Sequence, residues 1–548
     1  MSDKKHSVIK NAAFLMAATL ICRIIGLLYR SPLHTIMGDV GDGYYSIAYE
    51  WYNIILLISS YSIPMAVSKV MAELLAVRQF KNAQKVFHAA LFYVFIVGGA
   101  GALVAYFGAP LFLSATPDAV LALRILAPTI FLSGILGVMR GYFQAQNTMM
   151  PTAISQIGEQ IVNAVISVLA AWLFTRAAIG DENLIGKFGA AGGTLGTGAG
   201  VVTGLIFMGM IYAVNSRTIR KRIGRDSTEE EKSYRQVFGM IFMMVTPIIL
   251  ATCVYNVSSI IDQIIFTRLM VIKGFTETQI SAQYALFGYK FKPIINIPIA
   301  LASATSTALI PAVAASLAEK RKSDAVARID ESVRFTMFLA IPSAIGMCIL
   351  SYPIVRILYP SGNIKDAAVL ISLGSVSVIF YCLSTVTNGV LQGLGKPSIP
   401  VIDSAIALGV NVVLLALGVW VLDMGVVAIL MATVMYSMTV SALNSMFVKK
   451  YLNYQNEIKT SFLLPLAAGA VMGAAVGILY WIPVKVFSGF FKRYIPHALW
   501  TVIVVLIGMV VYVVAYALIS GKSEEELRKL PAGTRIVQLL HFLHIRRA

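Results

Sequence analysis

The chain has 548 residues, 58% of them apolar and 13% charged, with a mean hydropathy of +0.79 and a formal net charge of +18. An ordinary globular domain carries roughly 25% charged residues, so this composition excludes a soluble fold. Alternating segments of the ~10-residue kind that build membrane barrels are missing, which leaves helices as the spanning elements. The basic balance is set by where the charges lie, in short connections between apolar runs, and it points to no nucleic-acid partner.

In chain order, fourteen stretches approach the ~20 residues a helix needs to cross a bilayer: 8–31, 44–68, 86–109, 119–141, 152–175, 189–213, 237–266, 282–316, 332–352, 366–391, 400–422, 425–448, 461–483 and 498–520. The opening MSDKKHSVIK is basic, but no small-residue cleavage site follows the first run, so that run is expected to stay as a helix. With a cytoplasmic N-terminus, Lys and Arg concentrate on the inner side, above all in NSRTIRKRIGRDSTEEEKSYR. That bias places both termini in the cytoplasm and draws the protein toward anionic lipid headgroups. The tail 521–548 is basic and amphipathic around IVQLLHFLHIRRA, a pattern suited to the membrane surface. Cys22, Cys253, Cys348 and Cys382 stand singly, with neither metal-ligand spacing nor a disulfide framework; they are expected to act as small buried hydrophobes. The six histidines form no cluster, and no metal site is expected.

A weak repeat suggests the architecture. Gly141-Tyr-Phe-Gln144 through Pro151 returns in outline as Gly389-Val-Leu-Gln392 through Pro397 and Pro400, and Ile63-Pro64 through Glu73 returns as Ile310-Pro311 through Glu319, at nearly the same offset. Six helices separate the copies, and an even number preserves orientation, so two parallel six-helix lobes are expected around a central cavity. This predicts an all-α membrane protein with an N-lobe at 1–213, a basic linker at 214–236, a C-lobe at 237–448, two added helices within 449–520 and a tail at 521–548. Pro151 and Pro400 fall at helix starts, where a missing N–H costs nothing; Pro64 and Pro311 fall inside apolar runs and should bend them. The glycines of KFGAAGGTLGTGAG fit close helix packing, not a nucleotide loop.

The candidate site residues are charges at membrane depth, which are costly and usually face a cavity or a partner. Arg23 and Arg30 lie in the first span, Arg23 roughly 22 Å along it at ~1.5 Å per residue. Lys290 and Lys292 lie in the eighth span; they point in different directions, so one of the two is expected to face the cavity. Guanidinium and ammonium groups together suit a phosphate or pyrophosphate, Arg as a bidentate fork and Lys as a point charge. Candidate counter-charges or gating groups are Glu50, Asp42, Asp262, Glu159 and Asp403. Asp39 and Asp42 fall in a predicted outer loop, where solvation is the simpler reading, and Glu159 and Asp403 near helix starts are favoured there by the dipole. Without a Walker motif the chain has no ATPase of its own, so an ion gradient, the membrane potential or the substrate gradient must drive transport.

Twelve helices in two lobes with two more appended resemble the multidrug/oligosaccharidyl-lipid/polysaccharide exporter superfamily. RIIGLLYRSPLHTIMGDVGDGYYSIAYEWYNIILLISSYSIPMAVSKVMAE, MRGYFQAQNTMMPTAISQIGEQ, ALIPAVAASLAEK and TNGVLQGLGKPSIPV carry the likeness, which covers essentially the whole chain. They are similar to the polysaccharide-biosynthesis branch, and most to the MurJ-type lipid II flippases of Gram-positive bacteria; the sporulation stage V protein B relatives look similar too. The resemblance implies a bacterial plasma-membrane protein that exports an undecaprenyl-pyrophosphate-linked peptidoglycan precursor by alternating access, with no cofactor. It also implies that helix-one arginines, here Arg23 and Arg30, and a helix-eight cation, here Lys290 or Lys292, line the cavity, and that helices thirteen and fourteen hold the lipid tail. Two departures stand out: Ser31 replaces a common acidic residue, and the first half of helix seven lacks a carboxylate, which puts a family-type sodium site in doubt.

Three alternatives remain open at this level. A flippase for another polyprenyl-linked glycan, such as a teichuronic acid, capsule or spore cortex precursor, would share the basic cavity. A cation-coupled multidrug exporter would need an acidic one. A lipid-linked glycosyl- or phosphotransferase would need carboxylates on sizeable loops, and the loops here are short.

Overall fold

The computed structural model describes residues 17–520 apart from gaps at 62, 147, 179, 225, 227–230 and 455–456, together with residues 15 and 538; at 61, 177 and 247–255 only the backbone is described. The expectations for Cys253, for the first residues and for the 521–548 tail therefore fall outside what is described. Among the described residues all regular structure is helical, as a bilayer requires of a chain that must satisfy its own backbone groups.

The helices follow the apolar runs closely. They are α1 Ala17–Leu28, then α2 Arg30–Leu56, α3 Ile63–Ala76, α4 Phe80–Phe112, α5 Val120–Ala145, α6 Met150–Thr175, α7 Glu182–Gly224, α8 Tyr234–Ile272, α9 Glu277–Ala285 and α10 Lys292–Ala318. After them come α11 Lys322–Ile349, α12 Ser351–Leu358, α13 Ile364–Gly374, α14 Ser377–Gly393, α15 Ser398–Trp420, α16 Val426–Leu452, α17 Leu464–Val486, α18 Ser488–Phe491 and α19 Tyr494–Ser520. Eleven helices among the described residues are long and apolar enough to span, and twelve if α13 and α14, bent by 46°, form one span. The two remaining expected spans coincide with the short α1 and with α8, so a count of fourteen is compatible with the structure. Local sequence explains the ends: Ser233 with Gln236 and Thr276 with Gln279 close capping boxes on α8 and α9. Pro151, Pro293 and Pro465 open α6, α10 and α17.

Contacts divide the chain into two compact units, 1–289 and 290–548. In the first, α8 packs on α4 and α3, and α9 packs on α2. Its core runs through Val67, Phe87, Val94, Leu136, Tyr142 and Met208. The glycines of α7 let it lie directly on α6: a Cβ on Gly192 would stand 2.5 Å from the Ala171 amide nitrogen, one on Gly196 2.5 Å from the Asn163 carbonyl oxygen, and one on Gly200 2.6 Å from that of Glu159. Close packing, the role expected for this stretch, is what the spacing produces.

In the second unit, α17 and α19 pack together and on α11 through Phe338, Met472, Tyr480, Tyr512 and Tyr516. The Tyr512 hydroxyl donates to the Phe338 carbonyl at 2.9 Å. The repeated motifs make matching local contacts inside their own units. Gly141 sits on the Pro64 carbonyl oxygen (2.7 Å from its would-be Cβ) and on Val67 (3.1 Å), and Gly393 sits on the Ile310 carbonyl oxygen (2.9 Å) and Val313 (3.1 Å). Gly389, the motif position in the sequence, rests instead on Ser306. The cysteines depart from expectation: Cys382 is buried, but Cys22 is half-buried and Cys348 exposed.

Candidate functional site

In the first unit the site grows from the junction of α1 and α2. Gly26 of α1 faces Gln160 of α6, whose amide nitrogen lies 3.2 Å from where a Cβ would be. Arg23, less than one turn before it, is exposed. Tyr29 separates the two helices, and its hydroxyl is 3.1 Å from that of Tyr45. Arg30, the first residue of α2, is half-buried among aromatic rings: its guanidinium carbon is 4.7 Å from the ring centre of Tyr289 and 5.9 Å from that of Tyr45. Tyr45 meets Tyr289 edge-on at 5.6 Å and stacks on Tyr49 at 5.1 Å. A weakly hydrated planar cation is the group that such rings hold well. Tyr289 belongs to a π-helical turn, Leu286–Phe291, a wide turn of the kind found often at functional positions. An open apolar groove of about 480 Å³ adjoins this junction, lined by Tyr29, Pro32, Ile36, Val165, Val168 and Trp172.

The predicted outer loop after the first span is helical instead. α2 runs through it with one break, at Gly38 (φ 68°, ψ −178°). Asp42 is therefore not solvated: it is fully buried and bonded through Oδ2 to His34 Nδ1 at 2.6 Å. Asp39 is half-buried. His34 was missed because the pair straddles a helix break that hydropathy does not reveal; Gly38, just ahead of the two acids in MGDVGDG, was the available signal.

The other candidates separate. Glu159 is taken by a residue that the sequence did not single out, Arg140, whose Nη2 donates to it at 2.6 Å while Nε donates to Ser155 at 3.0 Å. This is a structural ion pair between α5 and α6. Glu50 of α2 is half-buried, and Asp262 of α8 is 4% exposed. In the second unit Lys290 is fully buried with its ammonium 5.7 Å from the Tyr359 ring. Lys292 opens α10 and is half-buried, and Asp403 of α15 is fully buried. Arg124 lies over Tyr106, 5.4 Å from its centre.

The multi-helix membrane scaffold agrees with the comparisons to known proteins. The family model described as "Lipid II flippase MurJ" matches residues 80–496. The chain belongs to the MurJ family of lipid II flippases. Among its relatives, the lipid II flippase MurJ of Bacillus subtilis is 24% identical over 526 residues, covering 93% of this chain and 94% of that protein. Stage V sporulation protein B of the same organism is 23% identical over 484 residues, covering 86% and 89%. A solved structure of a lipid II flippase MurJ in an inward closed conformation aligns with a TM-score of 0.64 at 15% identity, covering 92% of this chain and 98% of that one; at that identity it speaks for the fold. MurJ membership makes the chain a multi-span transporter of the bacterial plasma membrane, not an enzyme.

Proposed function

We propose that the chain moves lipid II, the polyprenyl-pyrophosphate-linked peptidoglycan precursor, from the inner to the outer leaflet by alternating access. In this reading Arg23 and Arg30, with Lys290 or Lys292, bind the pyrophosphate. Glu50 and Asp262 serve as gating acids, an ion gradient or the membrane potential supplies the energy, and both termini are cytoplasmic. The division into lobes of 1–213 and 237–448, and the service of α17 and α19 to the lipid tail, belong to the same proposal. The observation that carries it is Arg30: a permanently charged fork, fixed by rings and beside an apolar groove, suits a ligand with an anionic head and a hydrocarbon chain.

The test is rescue of a bacterium depleted of its own lipid II flippase. Wild type should restore growth, whereas Arg23→Ala and Arg30→Ala, inserted in the membrane at equal level, should not. Failure of correctly inserted wild type removes lipid II as the substrate. A second reading, transport of another polyprenyl-linked glycan, draws support from the near-equal similarity to stage V sporulation protein B; it would then be tested in strains lacking that protein.

A further inference from the structure

His34, Asp39 and Asp42 form a second cluster of polar side chains in the first unit. Each offers one ligand atom, and the three atoms lie within 4.8 Å of one another. The helix break makes this possible. An unbroken helix would set residues 34, 39 and 42 at different angles around its axis. At Gly38 the backbone takes φ 68° and ψ −178°, a conformation open essentially to glycine alone, and the chain re-enters helix with Asp39 and Asp42 turned to His34.

The ligand-bearing segment is held rigidly from both sides. A Cβ on Gly41 would lie 3.1 Å from the Gly186 Cα of α7, and one on Gly43 would stand 2.5 Å from the Ser281 carbonyl carbon of α9. Ser281 Oγ donates to the Val40 carbonyl at 2.8 Å, and Ser46 Oγ donates to that of Asp42 at 2.8 Å. Fixed backbone beneath the ligands is what a metal site needs in order to select a geometry.

We propose that His34, Asp39 and Asp42 bind one divalent transition-metal ion, zinc by the donor set. One imidazole and two carboxylates match zinc and its neighbours better than magnesium or calcium, which take oxygen ligands alone. Bonds of about 2.0–2.2 Å to such ligands place neighbouring donor atoms about 3.3 Å apart in a tetrahedron. The His34–Asp42 pair opens slightly and Asp39 closes in. Asp39, half-buried, is the most accessible of the three ligands. Because His34 follows Arg30 by about one turn, a bound ion pins the turn that carries Arg30. The site is independent of which lipid the protein moves.

The experiment uses the purified full chain with its affinity tag removed, titrated with Co2+ as a spectroscopic stand-in for Zn2+. Wild type should bind one Co2+ per chain with intense visible ligand-field absorption of a four-coordinate site, and Zn2+ should displace it and raise the midpoint of thermal unfolding. Asp39→Asn, at a half-buried position, and His34→Gln should each weaken binding about tenfold or more, whereas His88→Gln, at an exposed position on α4, should not. Absence of that absorption from wild type, or Co2+ affinity unchanged in Asp39→Asn, overturns the site. Equal displacement of Co2+ by Mg2+ and by Zn2+ overturns the assignment of the metal.

Discussion

Arg30 and Tyr289 hold each other by two hydrogen bonds: Arg30 Nη1 donates to the Tyr289 carbonyl at 3.0 Å, and the Tyr289 hydroxyl donates to the Arg30 carbonyl at 3.2 Å. The ring also lies against the guanidinium. This fixes both the backbone and the head of a side chain that would otherwise sample many rotamers.

Substitutions here should separate charge from geometry. Arg30→Lys keeps the charge but loses the planar fork and the stacking, so in the rescue assay it should fall with Arg30→Ala, not with wild type. Tyr289→Phe keeps the ring and the backbone carbonyl and loses one hydrogen bond, a cost of about 1 kcal/mol; it should retain transport with a slightly lower unfolding midpoint. Growth supported fully by Arg30→Lys would show that the charge alone matters.

The Arg140–Glu159 pair, 15% and 26% exposed, should be a structural tie. Removing one partner strands a part-buried charge, so Arg140→Met or Glu159→Met alone should destabilise by about 1–3 kcal/mol, less than the 3–5 of a fully buried pair because solvent screens it. The double variant should recover part of that loss. A double-mutant cycle on detergent-purified protein checks this, and purely additive losses would refute the coupling.

The glycine stripe of α7 gives a steric contrast. Gly196→Ala drives a methyl into the α6 backbone, whereas at Gly209 a Cβ meets nothing within 4 Å. Gly209→Ala should be neutral or stabilising by up to about 1 kcal/mol, and Gly196→Ala should lower the unfolding midpoint sharply or prevent accumulation in the membrane. Equal behaviour of the two variants would count against direct α6–α7 contact.

These features mark where sequence suffices. Span positions could be read from hydropathy alone because the bilayer sets both length and polarity: 152–175 and 400–422 were expected where α6 and α15 are found. The α7 glycines could be read because a four-residue spacing puts them on one face. The Arg30–Tyr289 contact could not, since it joins positions 259 residues apart through a π-helical turn with no sequence signature. The His34–Asp42 pair was hidden because polar residues near a span end suit a solvated loop equally well, and only the backbone at Gly38 distinguishes the two. Arg140 was overlooked for a similar reason: near a helix end, a cation satisfies the expected charge bias without any partner.

A pH response is expected at Glu231, just before α8. Hydrogen bonding from Lys85, then its charge, with Lys81 adding to both, holds the Glu231 carboxyl below its usual range. Its oxygens lie 2.8 Å from Lys85 and 3.5 Å from Lys81. With the folded pKa depressed, the stabilisation is complete above the unfolded glutamate range and lost as pH falls through the lower folded value. Hydrogen exchange of peptides covering 231–236, corrected for intrinsic rates, should stay slow at neutral pH and speed up only in acid. Glu231→Gln should show the faster exchange at neutral pH, as should wild type at high salt.

The central claim, that this chain translocates a pyrophosphate-linked lipid through Arg30, is tested most directly in proteoliposomes holding fluorescently labelled lipid II on one leaflet. Wild type should carry the label across, unlabelled lipid II should compete while undecaprenyl monophosphate competes far less, and Arg30→Ala, reconstituted at equal density, should match protein-free vesicles. Translocation that persists in Arg30→Ala, or that monophosphate blocks as well as lipid II does, would contradict it.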